Sequence, residues 1–335
     1  MIEAMAVREA PEAQALEEYR KELTGYCYRM LGSSFEAEDA VQETMLRAWR
    51  ALEKFEGRSQ LRSWLYSIAT NVCLDMLGGK ERKVRPIQLG DPSAPVIESL
   101  AATRPQGEWI LPMPDGRVVD DGGDPAEVAA QKETLKLAFV AALQFLPPKQ
   151  RAVLILRDVL RWKASEVAGL LETSEASVNS ALQRARATLE EREIEIDEVA
   201  APADEEHEDL LKRYMDAFER YDMDALKSLL HEDATMSMPP YSLWLTGHDD
   251  IAAWMMGPGH QCDGSRLVPV AANGSIAFGQ YRASGPNGEH EPWGLVVIET
   301  RDGKVSGINT FLDTASLFPL FGLPPALSSP GPAGS

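Results

Sequence analysis

The sequence has few of the residues that mark secreted, membrane-spanning or metal-binding proteins. Only three of its 335 residues are cysteines (Cys27, Cys73 and Cys262), and they stand far apart without metal-ligand spacing. This pattern indicates buried thiols in a reducing cytoplasm rather than a disulfide framework, and no cofactor or metal is predicted. No apolar run reaches about eighteen residues, so no transmembrane helix is expected. The N-terminus lacks a basic region followed by an apolar one, so no secretory signal is expected either.

The chain also lacks the excess of positive charge that is typical of DNA-binding proteins, since its net charge is −19 at pH 7. The charge is unevenly distributed. Residues 20–90 hold 12 Lys and Arg against 9 Asp and Glu, residues 131–192 hold 10 against 7, and residues 193–335 hold 8 against 23. The acidity is therefore concentrated in the last part, behind two mildly basic modules. Such modules would bind DNA weakly alone, which suits a protein that acts when docked on a larger complex.

Periodicity and composition predict a multidomain fold, with two all-α helical modules followed by an α+β domain. Proline and glycine are frequent between the helical modules and predict a linker there. Asn273-Gly, Asn287-Gly and Asp302-Gly are good hairpin turns for the third domain. The predicted parts are a helical module at 15–85, a linker at 86–126, a helical module at 127–193, an α+β domain at 204–318 and a flexible tail at 319–335.

In the first module, one helix over residues 36–53 has a buried and an exposed side. The predicted core stripe consists of Ala37, Val41, Met45, Ala48 and Leu52. The opposite side carries Asp39, Gln42, Glu43, Leu46 and Arg50. A solvated polar face is one interpretation of this second set. However, an apolar residue such as Leu46 ringed by charges is typical of a protein-contact patch.

The chain that follows this helix carries donors suited to nucleic acid. Phosphates or an extruded base could accept hydrogen bonds from Arg58, Ser59 and Arg62, and Asn71 and Asp75 lie one helical turn apart as candidate base readers. A basic cluster that includes Arg82 and Lys83 then suits phosphate.

The second module has the pattern of a helix-turn-helix. Residues 164–171 form a short helix, and Ser174 is a good N-cap for the next one. That second helix should bury Val178, Leu182, Ala185 and Leu189. The outward side, which would face a major groove, should carry Ser177, Ser180, Ala181, Arg184 and Thr188.

In this order the two modules resemble regions 2 and 4 of extracytoplasmic-function (ECF) sigma factors, the bacterial subunits that direct RNA polymerase to promoters. The resemblance implies a set that binds core polymerase: Asp39, Ala40, Val41, Gln42, Glu43, Leu46 and Arg50. It also implies a DNA-binding set: Arg58, Ser59, Arg62, Asn71, Asp75, Arg82, Lys83, Ser174, Ser177, Ser180, Ala181, Arg184 and Arg186. The second module departs from the family at Glu172 and Ala176, where glycine is usual, and at Asn179 and Ala181, where basic residues are common.

The linker contains Trp109-Ile-Leu-Pro-Met-Pro-Asp115, which resembles a motif of ECF groups with a C-terminal extension. In sigma factors this linker threads through the active-site cleft of the polymerase. The alternative is that Trp109 packs on a neighbouring domain, because Trp and Ile favour burial. The sequence leaves both interpretations open.

The third domain resembles the SnoaL-like, ketosteroid-isomerase-type cone fold. That fold implies a conical pocket, with candidate lining residues Trp244, Trp254, Tyr281, Trp293 and Phe311, although each could equally be core. His231, Asp233 and His248 could act as acid or base, but no pair has a spacing that requires catalysis. Apolar residues Phe318, Leu320, Phe321 and Leu323 are expected to dock the domain on the DNA-binding modules.

The leading hypothesis is an ECF sigma factor that binds core RNA polymerase and promoter DNA, with a regulatory rather than enzymatic third domain. One alternative is a ligand-responsive helix-turn-helix transcription factor that does not bind core polymerase. A second is a SnoaL-like isomerase or cyclase tethered to DNA. Membrane association is not expected, and any small-molecule ligand of the third domain is left open.

Overall fold

The computed structural model describes residues 13–55, 60–120, 122–191 and 204–328. The chain divides into two compact units, and neither is continuous in sequence. The first comprises residues 1–83 and 116–199, and the second comprises residues 84–115 and 200–335. Across the described ranges, no helix combines the length and the apolar character needed to span a bilayer.

The described part of the first unit is helical. Its helices are α1 (Ala13–Glu17), α2 (Arg20–Leu31), α3 (Ser34–Ala51), α4 (Leu61–Leu77), α5 (Pro125–Glu133), α6 (Leu137–Leu143), α7 (Pro148–Leu154), α8 (Ala164–Leu170) and α9 (Glu175–Glu190). Helices α2, α3 and α4 pack on one another, and α9 packs on α7 and α8. Pro147 is the N-cap of α7 and Pro148 its first residue, a position that suits proline because the first backbone N–H of a helix has no partner within it.

The core stripes predicted for α3 and α9 are confirmed. In α3 all members of the predicted stripe are buried, and Ser33 caps the helix by accepting a hydrogen bond from the Glu36 backbone. In α9 the four buried residues are Val178, Leu182, Ala185 and Leu189. Both helices form because apolar side chains recur every three to four residues and a serine satisfies the first backbone donors.

Two buried arginines join the helical modules within the first unit. Arg29 Nη2 donates to Thr134 Oγ1 at 2.7 Å, and Arg151 Nη1 donates to Gln144 Oε1 at 2.6 Å and to the Met30 carbonyl. Burial lowers the pKa of both guanidinium groups to about 10. Because a buried cation without partners would be strongly destabilising, these hydrogen bonds make the packing of the two modules specific.

The second unit combines helices with one sheet. Its helices are α10 (Asp204–Glu219), α11 (Met223–Leu229), α12 (His248–Met256) and α13 (Thr314–Leu320). Its strands are β1 (Leu230–Ser237), β2 (Trp244–Thr246), β3 (Arg266–Ala272), β4 (Ser275–Arg282), β5 (Glu291–Arg301) and β6 (Lys304–Phe311). The strand order is β2-β1-β6-β5-β4-β3, in which only the β1–β6 pair is parallel among the described strands.

Two of the three predicted hairpin turns are confirmed. Asn273-Gly joins β3 to β4 and Asp302-Gly joins β5 to β6, with positive φ at Asn273 (56°) and Asp302 (54°). Left-handed backbone of this kind is what the two-residue hairpin turn requires. The Asn287-Gly pair instead lies in a short 3-10 turn, Pro286–Gly288, within a longer connection between β4 and β5.

The two faces of the sheet are covered by different elements. One face packs against α10, α11 and α12 around a core that includes Tyr214, Trp254 and Phe278. Side chains alternate along a strand, so Gly279 faces the opposite side, where a Cβ at this position would lie 2.7 Å from Leu323. Phe318 of α13 contacts the Tyr281 ring edge-on, with centroids 5.1 Å apart.

Residues 84–115, here called the docked linker, fold onto the sheet domain rather than acting as a spacer. Val84 pairs with Trp109, and Pro114 pairs with Ala272 of β3. Trp109 is 1% exposed and Met113 is fully buried. The structure therefore favours the interpretation that Trp109 packs on a neighbouring domain. The linker predicted at 86–126 is split between the two units, because residues 116–126 belong to the first unit.

The prediction of a flexible tail at 319–335 is wrong for residues 319–328. Tyr281 Oη donates to the Pro324 carbonyl at 2.8 Å, and Leu327 exchanges two backbone hydrogen bonds of 2.9 Å with His290. Phe318 and Leu323 are buried in their own domain and do not supply the expected docking contacts, whereas Leu320 and Phe321 are half-buried. Residues 329–335 lie outside the described residues.

Candidate polymerase-binding and DNA-binding surfaces

The exposed side of α3 is an apolar patch set among polar groups. Asp39, Gln42 and Arg50 are exposed, and Leu46 is 47% exposed. Trp49, which sequence reasoning did not select, is 62% exposed. Residues three apart on a helix are neighbours, so Leu46 and Trp49 form one surface, here called the α3 patch. A tryptophan on the polar half of the helix was the signal that could have identified it.

The remaining members of the predicted polymerase-binding set are not freely exposed. Ala40 and Val41 are buried in the helical core, at 0% and 1% exposure. Glu43 is half-buried and forms a 2.6 Å ion pair with Arg47. The α3 patch and its polar neighbours are therefore the part of the set that a partner could reach.

The predicted DNA-binding residues of the first module differ in their availability. Asn71 and Asp75 are both exposed on α4, one turn apart, and the Asp75 carboxylate lies 3.5 Å from Arg47. Arg62 donates to the Glu22 carboxylate at 3.0 Å, and its guanidinium lies 5.4 Å from the ring centroid of Tyr66 and 5.3 Å from that of Trp162. Arg58 and Ser59 lie outside the described residues.

The predicted basic cluster is partly engaged within the protein. Lys83 is 6% exposed and its Nζ lies 3.2 Å from the Glu36 carboxylate. Burial lowers the pKa of this lysine. Arg82 is exposed, but its guanidinium lies 4.1 Å from the ring centroid of Phe145. Lys83 is therefore available to phosphate only after a change in its surroundings, whereas Arg82 is exposed.

The helix-turn-helix forms as predicted. The Ser174 hydroxyl accepts a hydrogen bond from the Ser177 backbone at 3.2 Å and so caps α9. Glu172, in the turn between α8 and α9, has a φ of 50°. This left-handed conformation is readily adopted by glycine, which explains in physical terms why glycine is usual at this position in the family pattern.

The outward side of α9 carries mostly neutral donors. Ser174, Ser177, Ser180 and Arg184 are exposed and Ala181 is half-buried. Arg186 is exposed, but it forms a bidentate ion pair with Asp158 at 2.7–2.9 Å. Arg62 and Arg186 both border a cleft of about 1750 Å³ in the first unit.

The candidate pocket residues of the third domain lie in different surroundings. Trp254 belongs to the core beneath α12, whereas Tyr281 contacts Phe318 of α13. Trp244 donates from Nε1 to the Gly90 carbonyl of the docked linker, at 3.1 Å. Trp293 is half-buried beneath the Arg282 guanidinium, 4.1 Å from its ring centroid, and Phe311 is buried. Trp254 and Trp293 therefore pack on the same core, whereas Trp244 and Tyr281 have other partners.

Comparison with known proteins identifies the families to which the three parts of this chain are similar. Family models match in chain order: Sigma-70 region 2 at residues 15–83, Sigma-70 region 4 at residues 136–189 and a SnoaL-like domain at residues 211–308. These matches coincide with the two helical modules and the sheet domain.

Similar proteins share the whole arrangement. The ECF RNA polymerase sigma factor SigG of Mycobacterium tuberculosis is 47% identical over 93% of this chain and 83% of its own length. SigJ of the same species is 26% identical over 89% of this chain and 90% of its own length. The crystal structure of M. tuberculosis SigJ matches with a TM-score of 0.60 at 24% identity, covering 93% of this chain and all of that one. The protein belongs to the ECF sigma factor family, in a form with a SnoaL-like C-terminal domain.

Proposed function

We propose that this protein binds core RNA polymerase through the α3 patch and directs it to promoters, acting in the cytoplasm as a sigma subunit. The exposure of Leu46 and Trp49 among polar side chains carries this proposal. Large apolar side chains are seldom left exposed together on a charged helix face unless a partner covers them. The Sigma-70 region 2 match at residues 15–83 supports the same assignment.

The first prediction concerns the α3 patch. The double substitution Leu46→Asp with Gln42→Ala should abolish binding to core polymerase, because it puts a charge into an apolar contact and removes a neighbouring amide. Both side chains are exposed, so the melting temperature should hardly change. A pulldown with core polymerase and a thermal melt measure the two effects.

The matched control is Met256→Asp, which places the same charge at another exposed apolar residue, 61% exposed on α12. This variant should bind core polymerase normally. Normal binding by the Leu46/Gln42 variant would instead show that the α3 patch is not the polymerase contact.

We further propose that the third domain regulates the sigma factor by holding the docked linker, which connects the two DNA-binding modules in sequence. Fully extended, residues 84–115 could span roughly 110 Å. In the docked state Val84 lies beside Trp109, so the ends of this segment are at most about 25 Å apart. Docking thus limits how far the two modules can separate.

The strongest polar anchor of the docked linker is Arg85. Its guanidinium makes a bidentate ion pair with Glu299 of β5, at 2.6 and 3.1 Å, and donates to Asn309 Oδ1 at 3.0 Å. The Arg85 and Glu299 side chains are only 12% and 17% exposed. Ser237 donates to the same Asn309 oxygen at 3.1 Å, so the network is well satisfied. Removing one partner would leave a largely buried charge uncompensated.

The second prediction follows from this anchor. Glu299→Gln should loosen the docked linker, because the neutral amide cannot pair with the Arg85 charge. Proteolysis within residues 84–115 should become faster, and run-off transcription with core polymerase should change in yield. Arg104→Ala is the control, since Arg104 pairs with Glu108 inside the linker and both are partly exposed. Unchanged proteolysis and transcription in the Glu299 variant would remove the regulatory proposal.

The same domain is proposed to be regulatory and not catalytic. Methionine and aromatic side chains pack the space beneath its helices, including Met236, Met238 and Trp254. Asp233 lies on the surface and pairs there with Arg301 and with the half-buried His231. His248 lies 3.6 Å from Asp249 at the start of α12. The three titratable residues therefore contact neighbouring polar and charged side chains of the domain, which explains their positions without a substrate.

A further inference from the structure

The exposed surface of α9 carries two carboxamides, Asn179, which the sequence pattern marked as a departure from the family, and Gln183, which it did not select. At 100° per residue both lie on the Ser180 side of the helix, away from Ser177 and Ala181. Asn179 and Gln183 are both exposed and lie one helical turn apart. They are the fifth and ninth of the sixteen residues of the helix, which begins at Glu175 and follows the turn of the helix-turn-helix. This is the part of a recognition helix that enters a major groove.

Neither carboxamide is engaged inside the protein. Among the described residues, the Asn179 and Gln183 side chains have no hydrogen-bond partner. Two cations of the predicted DNA-binding set contrast with them, since Arg62 is bound to Glu22 and Arg186 to Asp158. The two amides are therefore free to bind DNA without first losing an internal contact.

The surrounding surface makes phosphate contacts scarce. Between Lys163 and Arg184 the sequence has no lysine or arginine, while it has glutamate at 166, 172 and 175. Phosphate contacts give most of the sequence-independent affinity of DNA-binding proteins. A recognition helix without them depends more strongly on hydrogen bonds to base edges.

We propose that Asn179 and Gln183 are base-specificity residues and that each reads an adenine in the major groove of the upstream promoter element. A carboxamide can accept from adenine N6 and donate to N7 at once, a pairing that the other bases do not offer. Four residues of helix rise about 6 Å, which corresponds to about two base-pair steps. The two adenines are therefore about two steps apart. This inference rests on the proposed sigma function.

The experiment uses the full chain bound to core polymerase and a promoter library randomised in the upstream element. The wild-type holoenzyme should enrich adenine at two positions. Asn179→Ala and Gln183→Ala should each lower the preference at one of those positions by about tenfold, without changing the salt dependence of binding. Gln183→Arg should convert its adenine preference to guanine, because arginine pairs with guanine O6 and N7.

Gln150→Ala is the matched control, since Gln150 is a carboxamide on α7 of the same module and should leave every base preference unchanged. Because Asn179 and Gln183 are exposed, thermal melts of all variants should coincide with the wild type. Identical base preferences in the wild type and the α9 variants would overturn the inference. A wild-type chain that forms no active holoenzyme would instead overturn the proposed function.

Discussion

Arg62 has three partners inside the protein, namely the Glu22 carboxylate and the rings of Tyr66 and Trp162. Trp162 belongs to the second helical module, so a predicted DNA contact of the first module is held partly by the second. Binding to DNA would require Arg62 to exchange these partners for phosphate or base. The cost of this exchange is one reason why the free protein should bind DNA weakly.

A third prediction tests this exchange at the residue scale. Glu22→Gln should free the Arg62 guanidinium while preserving the size of its partner. The pair is 31–39% exposed, so the free energy of unfolding should fall by less than about 1 kcal/mol. Promoter binding by the holoenzyme should become tighter at low salt and more salt-dependent, as measured by titration at several salt concentrations. Glu17→Gln, which breaks the exposed pair with Arg20, serves as the control. Weaker binding by the Glu22 variant would contradict the expectation.

At the scale of elements, the segment after α13 acts as part of the sheet domain. Leu323 is 7% exposed and packs on the strand at Gly279, a position that leaves no room for a larger side chain. Tyr281 and His290 hold the same segment through its backbone. These contacts extend the domain beyond the end of α13.

A fourth prediction follows for this segment. Leu323→Ala should lower the free energy of unfolding of the domain by about 2–4 kcal/mol, because it leaves a cavity against Gly279. Pro325→Ala, at an exposed position of the same segment, should have little effect. Denaturant unfolding followed by tryptophan fluorescence measures both. Equal stability of the two variants would show that the segment is dispensable.

Elements with a regular apolar repeat could be predicted from the sequence, because their own residues determine which side is buried. The stripes of α3 and α9 and the turns at Asn273 and Asp302 are of this kind. The docked linker could not be predicted, since its Pro and Gly content is equally typical of a flexible spacer. Its structure depends on contacts with strands far along the chain, such as the pairing of Pro114 with Ala272.

Some features of the candidate sites could likewise be predicted from the sequence, and others could not. Exposure of Leu46 and Arg184 follows from helical periodicity, and so could be predicted. The burial of Lys83 against Glu36 could not, because the two residues are distant in sequence and a run of basic residues is normally solvated. The sequence also could not show that Trp254 lies in the core while Trp244 contacts the docked linker, because both environments depend on residues distant in sequence.

At the scale of the whole molecule, the chain crosses between its two units more than once. Residues 84–115 leave the first unit for the second, and the chain then returns before the third domain begins. A shortened protein ending near residue 200 would therefore lose the sheet domain and also expose Trp109, Ile110 and Met113. Any change in its transcription would report both effects together, so point substitutions such as Glu299→Gln are the sharper test.

The buried position of Trp109 also has a consequence during synthesis. The linker leaves the ribosome well before strands β1 to β6 have been made. At typical bacterial elongation rates, roughly 10–40 s pass between the synthesis of residue 115 and that of residue 328. During that interval the second DNA-binding module is completed, at about residue 193, while the sheet on which the linker docks is still being made. Each molecule therefore begins with an undocked linker, and the restraint that docking adds is imposed only as synthesis ends.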